Sequence, residues 1–281
     1  LVAYRDSIQY LHDQTVRRMN HGYTPEEIRE EVIMPDHLAE HEWLGEFYGS
    51  YKHSAPAIYD GYVGWFDGDP IHLDPKPRSE RAKNYVKLMG GREQVLAKAK
   101  LAFDKGDFQW AAEIVTWIIK ADTSDIEARK IKADALRLWA YDQKNITWRN
   151  WALTTSLELE GKLKAPKGLP FGGPDAIRNF PSKSLLRLLT VRLRAEDCKN
   201  LELTSTFNIT DTNELCALEI RRGVCQFHPD APKSEDFRIT CEHNFLTRIF
   251  LGQTTYQEGI TDGSAQLEGN QRDFDHFMSL F

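Results

Sequence analysis

The chain has 281 residues, 28% of them charged, and a formal net charge of −6. That length accommodates two domains with cores of their own, and the acidic, mixed-sign balance excludes the clustered basic footprint of a nucleic-acid binder. No apolar run approaches the roughly 20 residues needed to cross a bilayer as a helix.

From Tyr4 to about Gly161 the apolar residues recur with helical spacing. Asp6 is placed to cap a first helix carrying Ile8, Leu11, Val16 and Met19, which stops at Asn20-His21-Gly22. Thr24-Pro25-Glu26-Glu27 opens a second. Threonine is a favoured N-cap, proline suits the first helical position, and acids suit the positive end of the helix dipole. Gly68, Pro70, Pro75 and Pro77 make residues 66–80 a loop that wraps a surface.

Three further helical segments follow. The first carries Val95, Leu96, Ala99 and Phe103. The second, after Gly106-Asp107, carries Trp110, Ile114, Trp117, Ile118 and Ala121. The third stands behind the caps Ser124 and Asp125 and carries Ala128, Ile131, Ala135 and Leu138. Ala99 and Ala133, like Leu101 and Ala135, are 34 residues apart, which is the tetratricopeptide period. About one and a half repeats are present where about three bury a continuous core. The helices must therefore lean on others or on a second subunit. An ordinary antiparallel bundle fits the same pattern.

The run GKLKAPKGLPFGG reads as a linker, giving a helical domain over 1–162, a linker over 163–173 and a second domain over 174–281. Beyond it Leu185, Leu186, Leu188, Leu189 and Leu193 form a helix behind Ser182 or Ser184. Strict alternation in Leu201, Leu203, Ser205, Phe207 and Ile209 marks a strand. Thr210–Asn213 is a hairpin turn and Leu215–Ile220 the returning strand. Val224–His228 and Phe237–Cys241 continue the sheet, and a short helix carries Phe245, Leu246 and Ile249. A last strand lies near Gln266-Leu267, and a closing helix carries Phe274, Phe277, Met278 and Phe281. The sum is an α+β domain with an antiparallel sheet of four or five strands. Its helices could enclose a lipid tunnel lined by Phe245, Phe250, Phe274 and Phe277, or those rings could simply fill the core.

Residues that could carry chemistry are few. His37 and His41 stand one helical turn apart, but Glu40 precedes His41 rather than following His37, so the zinc-protease pattern is absent. A solvated helix face accounts for the pair. His53, flanked by Tyr48, Gly49 and Tyr51, would suit an anionic substrate as well as a structural role. The pairs Glu26-Glu27 and Glu30-Glu31 lie on polar helix faces. No Walker loop, GxSxG elbow or dinucleotide fingerprint occurs. Cys198, Cys216, Cys225 and Cys241 form no CxxC pair and read as buried thiols. Asn145-Ile-Thr and Asn208-Ile-Thr match the glycosylation triplet, a pattern too common to weigh. The sequence alone assigns this chain no catalytic residue and no metal ligand.

Four blocks carry a resemblance: RDSIQYLHDQTVRRMNHGYTPEEI, YGSYKHSAPAIYDGYVGWFDGDPIHLDP, YVKLMGGREQVLAKAKLAFDKGDFQWAAEIV and ADALRLWAYDQKN with the following WRNWALTTSLEL. In order and spacing they resemble the linear alkyl sulfatases, zinc-dependent hydrolases of metallo-β-lactamase type. Residues 170–281 resemble the sterol-carrier-like domain that closes those enzymes.

The resemblance implies a tetratricopeptide-like dimerisation domain followed by a sterol-carrier-like α+β domain. It also implies that the catalytic domain, with the zinc motif HxHxDH that this sequence lacks, precedes Leu1, so that this chain binds no cofactor of its own. A homodimer and a long-chain alkyl sulfate or fatty ligand are the partners it implies. Tyr48 and His53 match a segment that reaches the active-site mouth, which makes them substrate-binding residues. Ser54 departs from the asparagine that often follows this histidine. A free-standing scaffold or lipid carrier is the alternative, and an enzyme centred on His53 or on His37 and His41 a third.

Overall fold

In a computed structural model, which describes residues 1–164 and 173–281, the chain divides into two units, Leu1–Pro166 and Lys167–Phe281. Residues 165–172, most of the expected 163–173 linker, lie outside the described residues.

The first unit is all helical: α1 (Val2–Met19), α2 (Pro25–Glu31), α3 (Asp36–Ala39), α4 (Tyr51–Val63), α5 (Arg78–Leu88), α6 (Arg92–Asp104), α7 (Phe108–Ala121), α8 (Ile126–Tyr141) and α9 (Ile146–Leu159). Thr24 forms a reciprocal capping box with Glu27 at the start of α2, as its sequence demands. Helix α1 starts at Val2, so Asp6 is an interior residue paired with Arg5 rather than a cap. Residues 66–77 form the expected loop, interrupted by a 3-10 turn at Pro70–His72, while α5 begins inside the loop's expected span. Around α1, α2 and α4 a small core forms from Ile28, Val32, Tyr51 and Ala55. The Tyr51 hydroxyl donates to the carbonyl oxygen of Ser7 at 2.8 Å and lies 2.9 Å from its Oγ, tying α4 to α1.

Helices α6 to α9 pack in succession, α7 against α6 and α8, and α8 against α9. Their interior is built largely from alanine. Ala99, Ala111, Ala128, Ala133 and Ala135 are fully buried, which lets backbones approach closely, and Val95, Val115 and Ile118 fill the rest. The 34-residue correspondence holds for Ala99 and Ala133. It fails for Leu101, which is 56% exposed where Ala135 is fully buried.

Arg92 at the start of α6 reaches the start of α8, its Nε and Nη2 donating to Asp125 Oδ2 and Oδ1 at 2.6 and 2.9 Å. The same carboxylate caps α8 by accepting from the Ala128 amide at 2.9 Å. The two helices therefore start side by side, as alternate members of an up-down array do. The Arg92 guanidinium holds the Asp125 carboxyl below the usual carboxylate range. A group with its folded value depressed contributes stability that is complete above its unfolded value, about 4, and is lost as pH falls through the folded one. Asp125→Asn keeps the cap and loses the ion pair. Its melting temperature should lie below the parent's at pH 7 and converge on it below about pH 4. A gap that persists unchanged at low pH would rule out the ion pair as its cause.

The second unit contains α10 (Pro174–Asn179), α11 (Ser182–Leu188), β1 (Glu202–Ile209), β2 (Glu214–Arg221), β3 (Val224–His228), β4 (Phe237–Cys241), α12 (His243–Phe250), α13 (Tyr256–Asp262), β5 (Ala265–Gly269) and α14 (Gln271–Met278). The α+β class stands, with five strands in the order β3-β2-β1-β4-β5. One pairing differs from the expected antiparallel sheet, because β1 and β4 run parallel, with Ser205 opposite Phe237 and Ile209 opposite Cys241. Alternation identifies a strand but not its neighbour. Here residues 229–236 carry the chain from β3, at one edge, past β2 and β1 to β4.

The β2–β3 hairpin closes on Arg222-Gly223, both at positive φ (52° and 74°), the backbone of a type I′ turn. One face of the sheet supplies Leu203, Phe207, Ile209, Leu218, Ile220 and Ile239 to a core completed by Leu185, Leu186, Phe245, Phe274 and Phe277. Ser182 heads α11 without capping it; its hydroxyl lies 2.8 Å from His243 Nδ1 instead. All four cysteines are free and buried, and burial pushes the thiols of Cys216, Cys225 and Cys241 up to about 12.

Candidate functional site

The segment 43–54 has to pass from α3 into α4, and its turns decide where Tyr48 and His53 point. Gly45 permits a tight bend: a Cβ there would lie 2.3 Å from the Phe47 ring. The bend is clamped from α9. Asn145, 5% exposed, donates through Nδ2 to the carbonyl oxygens of Glu46 and Tyr48 at 3.1 Å each, while its Oδ1 caps α9 by accepting from the Trp148 amide. The Ile146 amide adds a bond to the Phe47 oxygen at 2.7 Å. Ser50 then caps α4, its Oγ accepting from the His53 amide at 3.3 Å.

The start of α4 separates the two expected site residues. Tyr48 is 79% exposed and, with Ser54, lines a cleft of about 360 Å³ beside Tyr4, Ile8 and Trp43. His53 lines a different cleft, of about 730 Å³, formed by α4, α7, α8 and α9 with Arg29 of α2 at its rim. There the Trp148 Nε1–H donates to His53 Nδ1 at 3.1 Å, and the rings meet edge to face with centroids 5.0 Å apart. An accepting Nδ1 leaves the proton of the neutral ring on Nε2. Trp139 stacks on Trp148, 6.2 Å between centroids. Lys132 of α8 stands in the same cleft, and burial, then the charge of Lys120, hold its ammonium below the usual lysine range.

The remaining histidine candidates separate. His37 lies on α3, which ends at Ala39, so His41 is not on its face but in the following turn, where its Nδ1 accepts from the Trp43 amide. The expected shared helix face does not exist, because Pro35 and the turn after Ala39 confine α3 to a single turn. His243 has both ring nitrogens occupied, by Ser182 Oγ and by the Arg178 carbonyl at 3.1 Å. Ser182 and His243 have the spacing of a nucleophile and base, but Ser182 is 1% exposed. Among the described residues no group of three or more His, Cys, Asp or Glu side chains could hold a metal ion. They do not fit a zinc centre. No described helix is long and apolar enough to cross a membrane.

Sequence reasoning missed Asn145, Lys132, Trp139 and Trp148. A signal for two of them was there: Leu136 and Trp139 recur along one face of α8, and Trp148, Trp151 and Thr155 along one face of α9.

Residues 24–162 match the family described as alkyl sulfatase dimerisation, and residues 170–281 match the alkyl sulfatase C-terminal family. The linear primary-alkylsulfatase of Pseudomonas sp. (strain ATCC 19151) is 41% identical over 286 residues, covering 99% of this chain and 54% of that protein. An alkyl/aryl-sulfatase of Saccharomyces cerevisiae is 31% identical, with coverage of 99% and 43%. A solved structure, the stereoselective inverting sec-alkylsulfatase from Pseudomonas sp., is similar with a TM-score of 0.91 at 29% identity, over 100% of this chain and 44% of that one. The chain thus spans about half the length of the curated relatives it matches. Matched in both units, and aligned with the relatives almost from end to end, the chain belongs to the alkyl sulfatase family, of which it carries the dimerisation and C-terminal domains.

Proposed function

We propose that this chain serves an alkyl sulfatase without performing the chemistry: its helical unit joins two copies, and its α+β unit holds the alkyl chain of the substrate. Sulfate-ester hydrolysis would then be the work of a zinc domain of the metallo-β-lactamase type implied by the family resemblance.

The observation that carries the dimer is an inversion of the usual sorting of sizes in α5 to α9. Alanines fill the interior, while Leu88, Trp110 and Ile126 are 82%, 53% and 81% exposed. Large apolar groups directed outward from an ordered helical array mark an interface. For the alkyl chain, α12, α13 and α14 lay Phe245, Tyr256, Phe274 and Phe277 over the sheet. Among the described residues the buried Tyr256 hydroxyl has no hydrogen-bond partner, and the polar head of an alcohol or acid would supply one.

Light scattering at micromolar concentration should give twice the 32.4 kDa chain mass, and calorimetry should show micromolar binding of dodecanoate or dodecyl sulfate that weakens as the chain shortens. A monomer mass removes the first half of the reading. Absence of heat and of chain-length dependence removes the second.

A further inference from the structure

The cleft around His53 has a composition that dimerisation does not require. Three cations line it: Arg29, Lys52 and Lys132. Arg29 and Lys52 share a single carboxylate, Glu30, at 3.3 and 3.4 Å. Lys132 has none: burial and the neighbouring Lys120 are all that act on its ammonium, and no carboxylate pairs with it among the described residues. The one acid lining the cleft, Glu113, is engaged by the Gln109 side-chain amide at 2.9 Å. A partly buried ammonium without a counter-charge is unfavourable, and an anion drawn into the cleft would relieve it.

The rest of the lining is aromatic. Trp139 and Trp148 form a stacked wall, and Trp151 stands at the lip, 72% exposed. His53, its Nδ1 occupied by Trp148, offers its remaining N–H to an oxygen. A compact anion would leave the three indoles unused, and a neutral hydrocarbon would leave Lys132 unpaired.

We propose that this cleft of the helical unit is a binding site for a single-chain organic anion, its sulfate or carboxylate head against Lys132 and Lys52 and its apolar chain along Trp148, Trp139 and Trp151. It is a second amphiphile site, in addition to the one placed above in the α+β unit, and its existence does not depend on that one.

All seven tryptophans of the chain, Trp43 to Trp151, belong to the helical unit, so indole fluorescence reports on that unit, while calorimetry registers binding to either. The full chain is titrated, below micelle formation, with decyl sulfate, decanoate, decanol and inorganic sulfate. Decyl sulfate or decanoate should change the fluorescence saturably, and whichever binds tighter identifies the head group. Decanol and inorganic sulfate should bind at least roughly tenfold more weakly, the worth of one charge-assisted contact. Lys132→Met keeps the side chain's length and should weaken the anions roughly tenfold. Trp151→Ala, at an exposed position with little cost in folding, should weaken them severalfold. Equal affinity for decanol and decyl sulfate, or an unchanged affinity in Lys132→Met, overturns the proposal. Calorimetric heat without a fluorescence change would do the same, and would leave the α+β site standing.

Discussion

Replacing Asn145 by alanine is expected to lower the melting temperature of the helical unit by roughly 10 °C. Three bonds are lost at once: the α9 cap, and the two donations that hold the carbonyls of Glu46 and Tyr48. A cap is worth about 1 kcal/mol, and each remaining bond about 1 kcal/mol net. Together they come to about 3 kcal/mol, at about 2–4 °C for each in a domain of this size. The segment released is the one that positions Tyr48, so tryptophan fluorescence should detect the transition while local order around Trp43 is lost first. Asn145→Asp tests the mechanism. It keeps the cap oxygen but turns an acceptor toward two carbonyl oxygens, so it should not rescue stability. An aspartate variant as stable as the parent would refute the bridging role.

In the α+β unit the largest effect is expected at Phe237. It is 1% exposed on β4 and meets Phe274 and Phe277 edge to face at centroid distances of 5.6 and 5.2 Å. Truncation to alanine removes the ring's transfer free energy and leaves a cavity between the sheet and α14, a loss of about 3–5 kcal/mol. Urea unfolding followed by far-UV circular dichroism should show a lower midpoint for the sheet. Phe237→Leu, which refills most of the volume, should recover the greater part of the loss. If alanine and leucine variants unfold alike, the ring contacts rather than the filled volume set the stability.

The parts of the fold legible in the sequence are those written by local physics. Thr24 and Asp125 cap where cap preference places them. The turn at Thr210–Asn213 joins β1 to β2, with Ile209 opposite Glu214. What escaped was decided by partners distant in the chain. The parallel pairing of β1 with β4 follows from the route of residues 229–236, which alternation does not encode. The start of α5 was hidden because its face is mostly charged, with only Ala82 buried.

The candidate site was legible as residues and not as a site. His53 and Tyr48 are near in sequence, yet the cap at Ser50 turns them into separate clefts. The indole that fixes the His53 ring comes from 95 residues away. Lys132 gave no sign of its burial, since a lysine on an amphipathic helix ordinarily lies in water.

Asn145 also begins the triplet Asn145-Ile146-Thr147. In the folded protein its side-chain nitrogen is buried and committed to two carbonyls. Oligosaccharide transfer acts on that same nitrogen in a chain still emerging into a secretory compartment. A sugar attached there would occupy the atom that clamps residues 46–48 and could not be accommodated once α9 closed. Production by secretion from a eukaryotic host would thus divide the product into unmodified molecules that fold and modified ones that do not. Expression without that machinery avoids the division.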